Sequence, residues 1–194
     1  HKQVYVGYGE GALGVLSDRG ERLFDVTVGG HPESFQLDST AGKVYVNVPT
    51  RHKIAVVNVN KREVTANWPM TESDNYPMAL DEAHHRLFVM TRHPSRLVVY
   101  DTETGKLVTT MEAGADSDDV FYDAEHSRIY ASFGVGLVMV YKQADADHYE
   151  VVSKITTAPG ARTAFYSPEL GRLYVAVPHR TNPTAEILVY EVVP

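Results

Sequence analysis

The chain has 194 residues, 43% of them hydrophobic and 22% charged, the balance of a folded globular protein rather than a disordered one. Eighteen Lys+Arg against 25 Asp+Glu give a formal charge of −7 with no basic cluster, so recognition of duplex nucleic acid or of an anionic membrane surface is not expected. There is no cysteine, which excludes disulfides, thiolate metal sites and a cysteine nucleophile, and leaves the redox compartment open. The longest apolar runs, such as residues 136–141, are strand-sized, far short of the roughly 20 residues a membrane helix needs. The opening His1-Lys2-Gln3 is polar and does not read as a signal peptide, which is compatible with one having been removed.

The chain repeats itself. In chain order, Val4-Tyr5-Val6, Val44-Tyr45-Val46, Leu87-Phe88-Val89, Ile129-Tyr130-Ala131 and Leu173-Tyr174-Val175 place their central aromatics 40, 43, 42 and 44 residues apart. Four of these units carry a basic residue two positions before the aromatic (Lys43, Arg86, Arg128, Arg172), and five positions before that stands Asp38, Asp81, Asp123 or Ser167. The first unit opens on a strand over Gln3 to Gly7. The second reads as four strands: Ser34 to Leu37, Lys43 to Val48, Ile54 to Val59 and Glu63 to Trp68, with turns between them. The next two units follow the same plan, and the last ends on a strand over Ile187 to Val192. No stretch holds a 3.6-residue apolar period, so essentially no helix is expected.

Four-stranded units of about 40–44 residues are the mark of a β-propeller blade. The expected fold is all-β, a single propeller domain or fragment with blade units at about 1–33, 34–77, 78–119, 120–162 and 163–194. The first unit starts at its second strand and the last stops at its third, so three whole blades are flanked by two incomplete ones. The chain therefore reads as the C-terminal portion of a larger propeller, and either upstream blades or a second chain is expected to cover its open edges. The recurring Asp has a structural explanation, since it can accept backbone N–H groups in the turn between the first two strands of each blade.

The Val44-Tyr45-Val46-Asn47 motif, the Asp-x-x-x-x-Lys/Arg-x-Tyr/Phe pattern and the closing strand with its turn at residues 96–106 resemble the YVTN-repeat β-propellers. More narrowly, residues 29–37 and 158–163 are similar to bacterial YncE-like propeller proteins. This resemblance spans the whole chain. It implies a seven-bladed ring, export to the periplasm or beyond the cell, and no catalytic residues to carry over.

In a propeller, the loops from strand two to strand three and the loops from one blade to the next emerge on the same face. Here the former carry Arg51-His52, Arg92-His93 and His179-Arg180, and the latter carry His31, Glu33, Tyr76, Asp118 and Arg162. These funnel-face residues are the candidate ligand site, the funnel being the usual pocket of this fold. Three uses compete for them. His31, His52, His93 and His179 with Asp118 or Glu33 supply the donor types of a divalent metal, although no close spacing such as His-x-His supports one. Arg92, Arg162 and Tyr76 could hold an anion or a polar small molecule. Alternatively, these are solvated loop residues with no ligand. No cofactor is required by any motif, and there is no Gly-x-Ser-x-Gly or phosphate-binding glycine pattern. The sequence thus favours a non-enzymatic module that binds a small molecule or a protein. The alternative is a metal-assisted, lactonase-like propeller hydrolase or lyase using funnel histidines and acids.

Overall fold

The computed structural model describes residues 2–179 and 184–193. Among them are eighteen β-strands, two short 3-10 turns and no α-helix. The chain divides into two compact units, residues 1–76 and 77–194.

The first unit holds two antiparallel sheets, each ordered as in the chain. One consists of β1 (Gln3–Tyr8), β2 (Ala12–Ser17) and β3 (Arg22–Thr27). The other consists of β4 (Phe35–Asp38), β5 (Lys43–Val48), β6 (Lys53–Asn58) and β7 (Glu63–Pro69). Alternation along each strand sends every second side chain to one face. Leu13, Val26 and Val28 of the first sheet's side therefore meet Val44, Val46, Val48, Ala55 and Val57 of the second in one apolar layer.

The second unit holds three sheets of the same kind. They are β8 (Met78–Asp81), β9 (Arg86–Arg92), β10 (Ser95–Asp101) and β11 (Leu107–Glu112); then β12 (Ser117–Asp123), β13 (Arg128–Phe133), β14 (Leu137–Gln143) and β15 (Tyr149–Thr156); then β16 (Ala164–Ser167), β17 (Arg172–Val177) and β18 (Glu186–Glu191). Two apolar layers join them. Phe88, Met90, Leu97 and Val99 pack on Ile129, Phe133, Met139 and Tyr141, and Tyr130 and Val138 pack on Tyr166, Leu173 and Val175.

The strand count of three, four, four, four and three follows the repeat read from the sequence. The only helical turns among the described residues, Pro49–Arg51 and Pro168–Leu170, both begin with proline, whose missing N–H costs nothing at a helix start. One further repeat was not legible. Where a third strand pairs with a fourth, the register shifts at Val15/Leu16, Val56/Val57, Val99/Tyr100 and Val140/Tyr141. A bulge at the same place in four sheets bends and twists each outer strand alike.

The recurring aspartate does what its position requires. Asp38 Oδ1 accepts the Ala41 amide at 2.7 Å, Asp81 Oδ1 that of His84 at 3.2 Å, and Asp123 Oδ1 those of Glu125 and His126 at 3.2 and 3.3 Å. The other carboxylate oxygen takes a side chain. Tyr130 Oη donates to Asp123 Oδ2 at 2.8 Å and Tyr45 Oη to Asp38 Oδ2 at 3.3 Å, while the rings of His84 and His126 bond Asp81 and Asp123 at 2.7 and 2.8 Å. In the blades of Tyr45 and Tyr130 the motif thus ties the turn to the central aromatic of the second strand, whereas Phe88 has no hydroxyl to offer Asp81.

Both terminal sheets show an apolar outer face. Val4, Val6 and Tyr8 are 40–50% exposed, whereas Val44 and Val46, which correspond to Val4 and Val6 in the repeat, are fully buried. At the other end Phe165, Ile187 and Val189 are 51–62% exposed.

Candidate functional site

In the second unit, residues at the strand ends and in the loops of successive sheets meet through their side chains. Arg92, at the end of β9, donates from Nε and Nη2 to the Ser117 carbonyl at 3.0 and 2.8 Å, and its guanidinium pairs with Asp116 at 3.2 Å and Asp118 at 3.1 Å. Arg162 grips Asp116 with Nη1 at 2.7 and 2.8 Å and lies 3.7 Å from Asp118. Two arginines and two aspartates therefore form one closed network. Its side chains are 22–38% exposed, and each of its pairs contributes about 1 kcal/mol at most. Glycine at 134 leaves the space the Asp116 carboxylate occupies, since a Cβ there would displace it, and the Gly134 amide donates to the Asp116 carbonyl at 2.8 Å. The Gly160 amide in turn donates to the Gly134 carbonyl at 2.7 Å, and the Ser132 hydroxyl donates to the Arg162 carbonyl. Beside the network lies a recess of 240 Å³ lined by Asp116, Asp118, Gly160, Arg162, Thr163, Ala176, Val177 and Pro178.

Asp118, read from sequence as a loop residue, stands with its neighbour Asp119 inside the sheet, since β12 already begins at Ser117 and bulges between Ser117 and Asp119. Asp119 Oδ2 accepts the Ala164 amide at 2.7 Å. Burial, aided by the adjacent Asp118 charge and opposed by that amide bond, pushes its carboxyl above the ordinary range. His93 forms a cis peptide with Pro94 between β9 and β10. His179 is exposed, and Arg180 lies outside the described residues.

In the first unit the loops meet differently. His31 Nδ1 lies 2.7 Å from the Gly9 carbonyl, and its Nε2 lies 3.9 Å from Glu33. Arg51 closes the 3-10 turn and donates from Nε to the Gly29 carbonyl at 2.9 Å. His52 follows in the left-handed region at φ 47°, and Lys53 opens β6, its Nζ donating to Asn67 Oδ1 at 2.6 Å. Tyr76 is half-buried, with its hydroxyl 3.4 Å from Asp74 and its carbonyl accepting Asn47 Nδ2 at 2.9 Å. No group of three or more His, Asp or Glu among the described residues is disposed to hold a metal ion.

Of the residues singled out from sequence, Arg92, Asp118 and Arg162 are brought together, as are His31 and Glu33. Gly134 and Lys53 were missed, and Asp116, though it falls in the same blade-to-blade loop as Asp118, was not among the candidate ligand residues. For Asp116 a signal existed. Glu33, Tyr76, Asp118 and Arg162 each stand twelve residues before a central aromatic, and His31, Asp74, Asp116 and Gly160 each stand fourteen before one. Position 116 is thus on the same footing as His31. Lys53 gave no such signal, because what distinguishes it is the company it keeps in space.

Repeated antiparallel sheets of three or four strands, packed face to face within each unit, mark the β-propeller class. Comparison with solved structures agrees. The chain is similar to β-propeller proteins in hydrazine synthase from Kuenenia stuttgartiensis (TM-score 0.73, 13% identity, 82% of this chain and 46% of that one) and in the Mitotic Checkpoint Complex (TM-score 0.78, 10% identity, 90% of this chain and 55% of that one). At these identities the likeness is one of fold. The chain spans about half the length of these two structures. No family model and no curated protein matches it.

Proposed function

We propose that the chain is a non-enzymatic binding or scaffold module of the exported YVTN/YncE-like type, one part of a seven-bladed ring, which engages a small molecule or a protein through its loop face. The observation that carries this reading is the recess beside Arg92, Asp116, Asp118 and Arg162. Side chains from separate sheets converge there on a polar concavity, the usual construction of a propeller binding site. One structural neighbour is described as a complex, which accords with a binding role. The exposed faces of the terminal sheets accord with further blades or a second chain packing against them.

Amide chemical-shift mapping of a small-molecule library against the protein tests the proposal. Shifts are expected at Asp116, Asp118, Gly134, Gly160 and Arg162 or at residues 29–33 and 51–53. Ligands that shift only the turn residues at the other end of the sheets would overturn it. So would stoichiometric bound metal, lost on replacing His31 or His179, together with turnover of a lactone.

A further inference from the structure

The two units treat their loop-face cations in opposite ways. In the second unit, Arg92 and Arg162 are each met by the carboxylates of Asp116 and Asp118. In the first unit, Arg51 and Lys53 have no carboxylate within 4 Å among the described residues. We infer that Arg51 and Lys53, set against the Gly29–Gly30 corner, form a binding site for the carboxylate of a ligand.

The argument begins with local structure. Pro49 starts the 3-10 turn, His52 ends it in the left-handed region with its amide bonded to the Pro49 carbonyl, and the chain then enters β6. That reversal puts Arg51 and Lys53 on either side of one tight bend. Both approach the same corner. Arg51 Nε bonds the Gly29 carbonyl, and Lys53 Nζ lies 3.5 Å from the point where a Cβ on residue 29 would stand. Gly29 has φ +85°, and a Cβ on Gly30 would lie 2.7 Å from Val48 Cγ1 and 2.8 Å from Thr50 Oγ1. Two glycines are therefore what allow the 3-10 turn and its cations to close on this corner.

Each cation keeps donors in hand. Among the described residues Arg51 uses only Nε, in the bond to Gly29, leaving the two terminal amino groups of its fork, and Lys53 has one acceptor, Asn67, for three N–H bonds. Burial, together with the neighbouring Arg51 charge, holds the Lys53 ammonium below its usual range, a repulsion that a bound anion relieves. The choice of carboxylate over other anions rests on the protein's own precedent. The partner its other loop-face arginines take is a carboxylate, Arg162 reaching both Asp116 oxygens from Nη1, and a guanidinium with both terminal amino groups unused can match that planar group with two parallel bonds.

The inference rests on the reading that the loop face binds ligands, and its test separates the two. The protein is titrated with sodium malonate at constant ionic strength, with sodium chloride as the reference salt and inorganic phosphate in parallel, and amide shifts are followed. Malonate is expected to shift Gly29, Gly30 and residues 51–53 saturably and more tightly than phosphate does. Arg51→Gln and Lys53→Met should each weaken it at least tenfold, the loss of about one charge-assisted bond, whereas the exposed Arg19→Gln control should not. Malonate shifts confined to Asp116, Asp118 and Arg162 would overturn this inference and leave the loop-face reading standing. Equal response to chloride, tighter binding of phosphate, or unchanged affinity in both variants would also overturn it. Shifts at neither loop cluster would count against both.

Discussion

Replacing Phe88 with alanine is expected to destabilise the second unit by about 3–5 kcal/mol, enough to remove much of the stability of a domain this size. Phe88 is the central aromatic of its blade and is fully buried. Its ring lies 5.3 Å from that of Tyr122 and meets Tyr149 edge-on at 5.7 Å, so truncation leaves a cavity lined by two rings that cannot collapse into it. Tyr174 holds the same position in the last sheet, but it is only half-buried and its ring contact is the exposed Phe165 at 6.4 Å. Tyr174→Ala should therefore cost about 1 kcal/mol. Urea unfolding of the two variants measures the difference. Equal losses would mean that the repeat position, and not its burial, sets the cost.

The second large effect is expected at Asp123. Its side chain is 2% exposed and accepts the Tyr130 hydroxyl, the His126 ring and two backbone amides. Asp123→Ala strands the Tyr130 hydroxyl in the interior and is expected to cost about 3 kcal/mol. The effect depends on pH in a defined direction. Burial raises the Asp123 carboxyl, but the bonds from Tyr130, His126 and Tyr166 outweigh burial and hold it below the ordinary range. A depressed folded value means that the ionised carboxylate stabilises the fold. The contribution is complete above the unfolded value, roughly pH 4, and is lost as pH falls through the lower folded value. The gap between wild type and Asp123→Ala should narrow correspondingly in acid urea unfolding. A gap that widened on acidification would refute this account of the turn.

The blade plan was legible because it rests on local sequence. An Asp, a basic residue and an aromatic at fixed offsets mark a turn and a strand whose geometry is set within ten residues, and strand alternation then decides which face is buried. The bulges were not legible. They arise from pairing between strands three and four, and nothing in Val56-Val57 or Val99-Tyr100 distinguishes them from straight strand. The loop face was half legible. Topology brings Arg92, Asp118 and Arg162 toward one end of the sheets, but it does not say that the aspartates neutralise the arginines. The reading of Arg92, Arg162 and Tyr76 as an anion pocket did not pair the arginines with Asp116 of the same face, which meets both. Lys53 stands just before the third strand as read from sequence and carries no motif, and only its approach to Gly29 and Arg51 sets it apart.

The central claim is that the loop-face arginines differ: those of the second unit are held by carboxylates and that of the first is available to a ligand. Phenylglyoxal modification of the native protein, with each site followed by peptide mass spectrometry, tests this most directly. Arg51, exposed and bonded only through Nε, should react well ahead of Arg92 and Arg162, and malonate should slow its modification selectively. Modification of Arg92 or Arg162 at the rate of Arg51, or an Arg51 rate indifferent to malonate, would contradict the account.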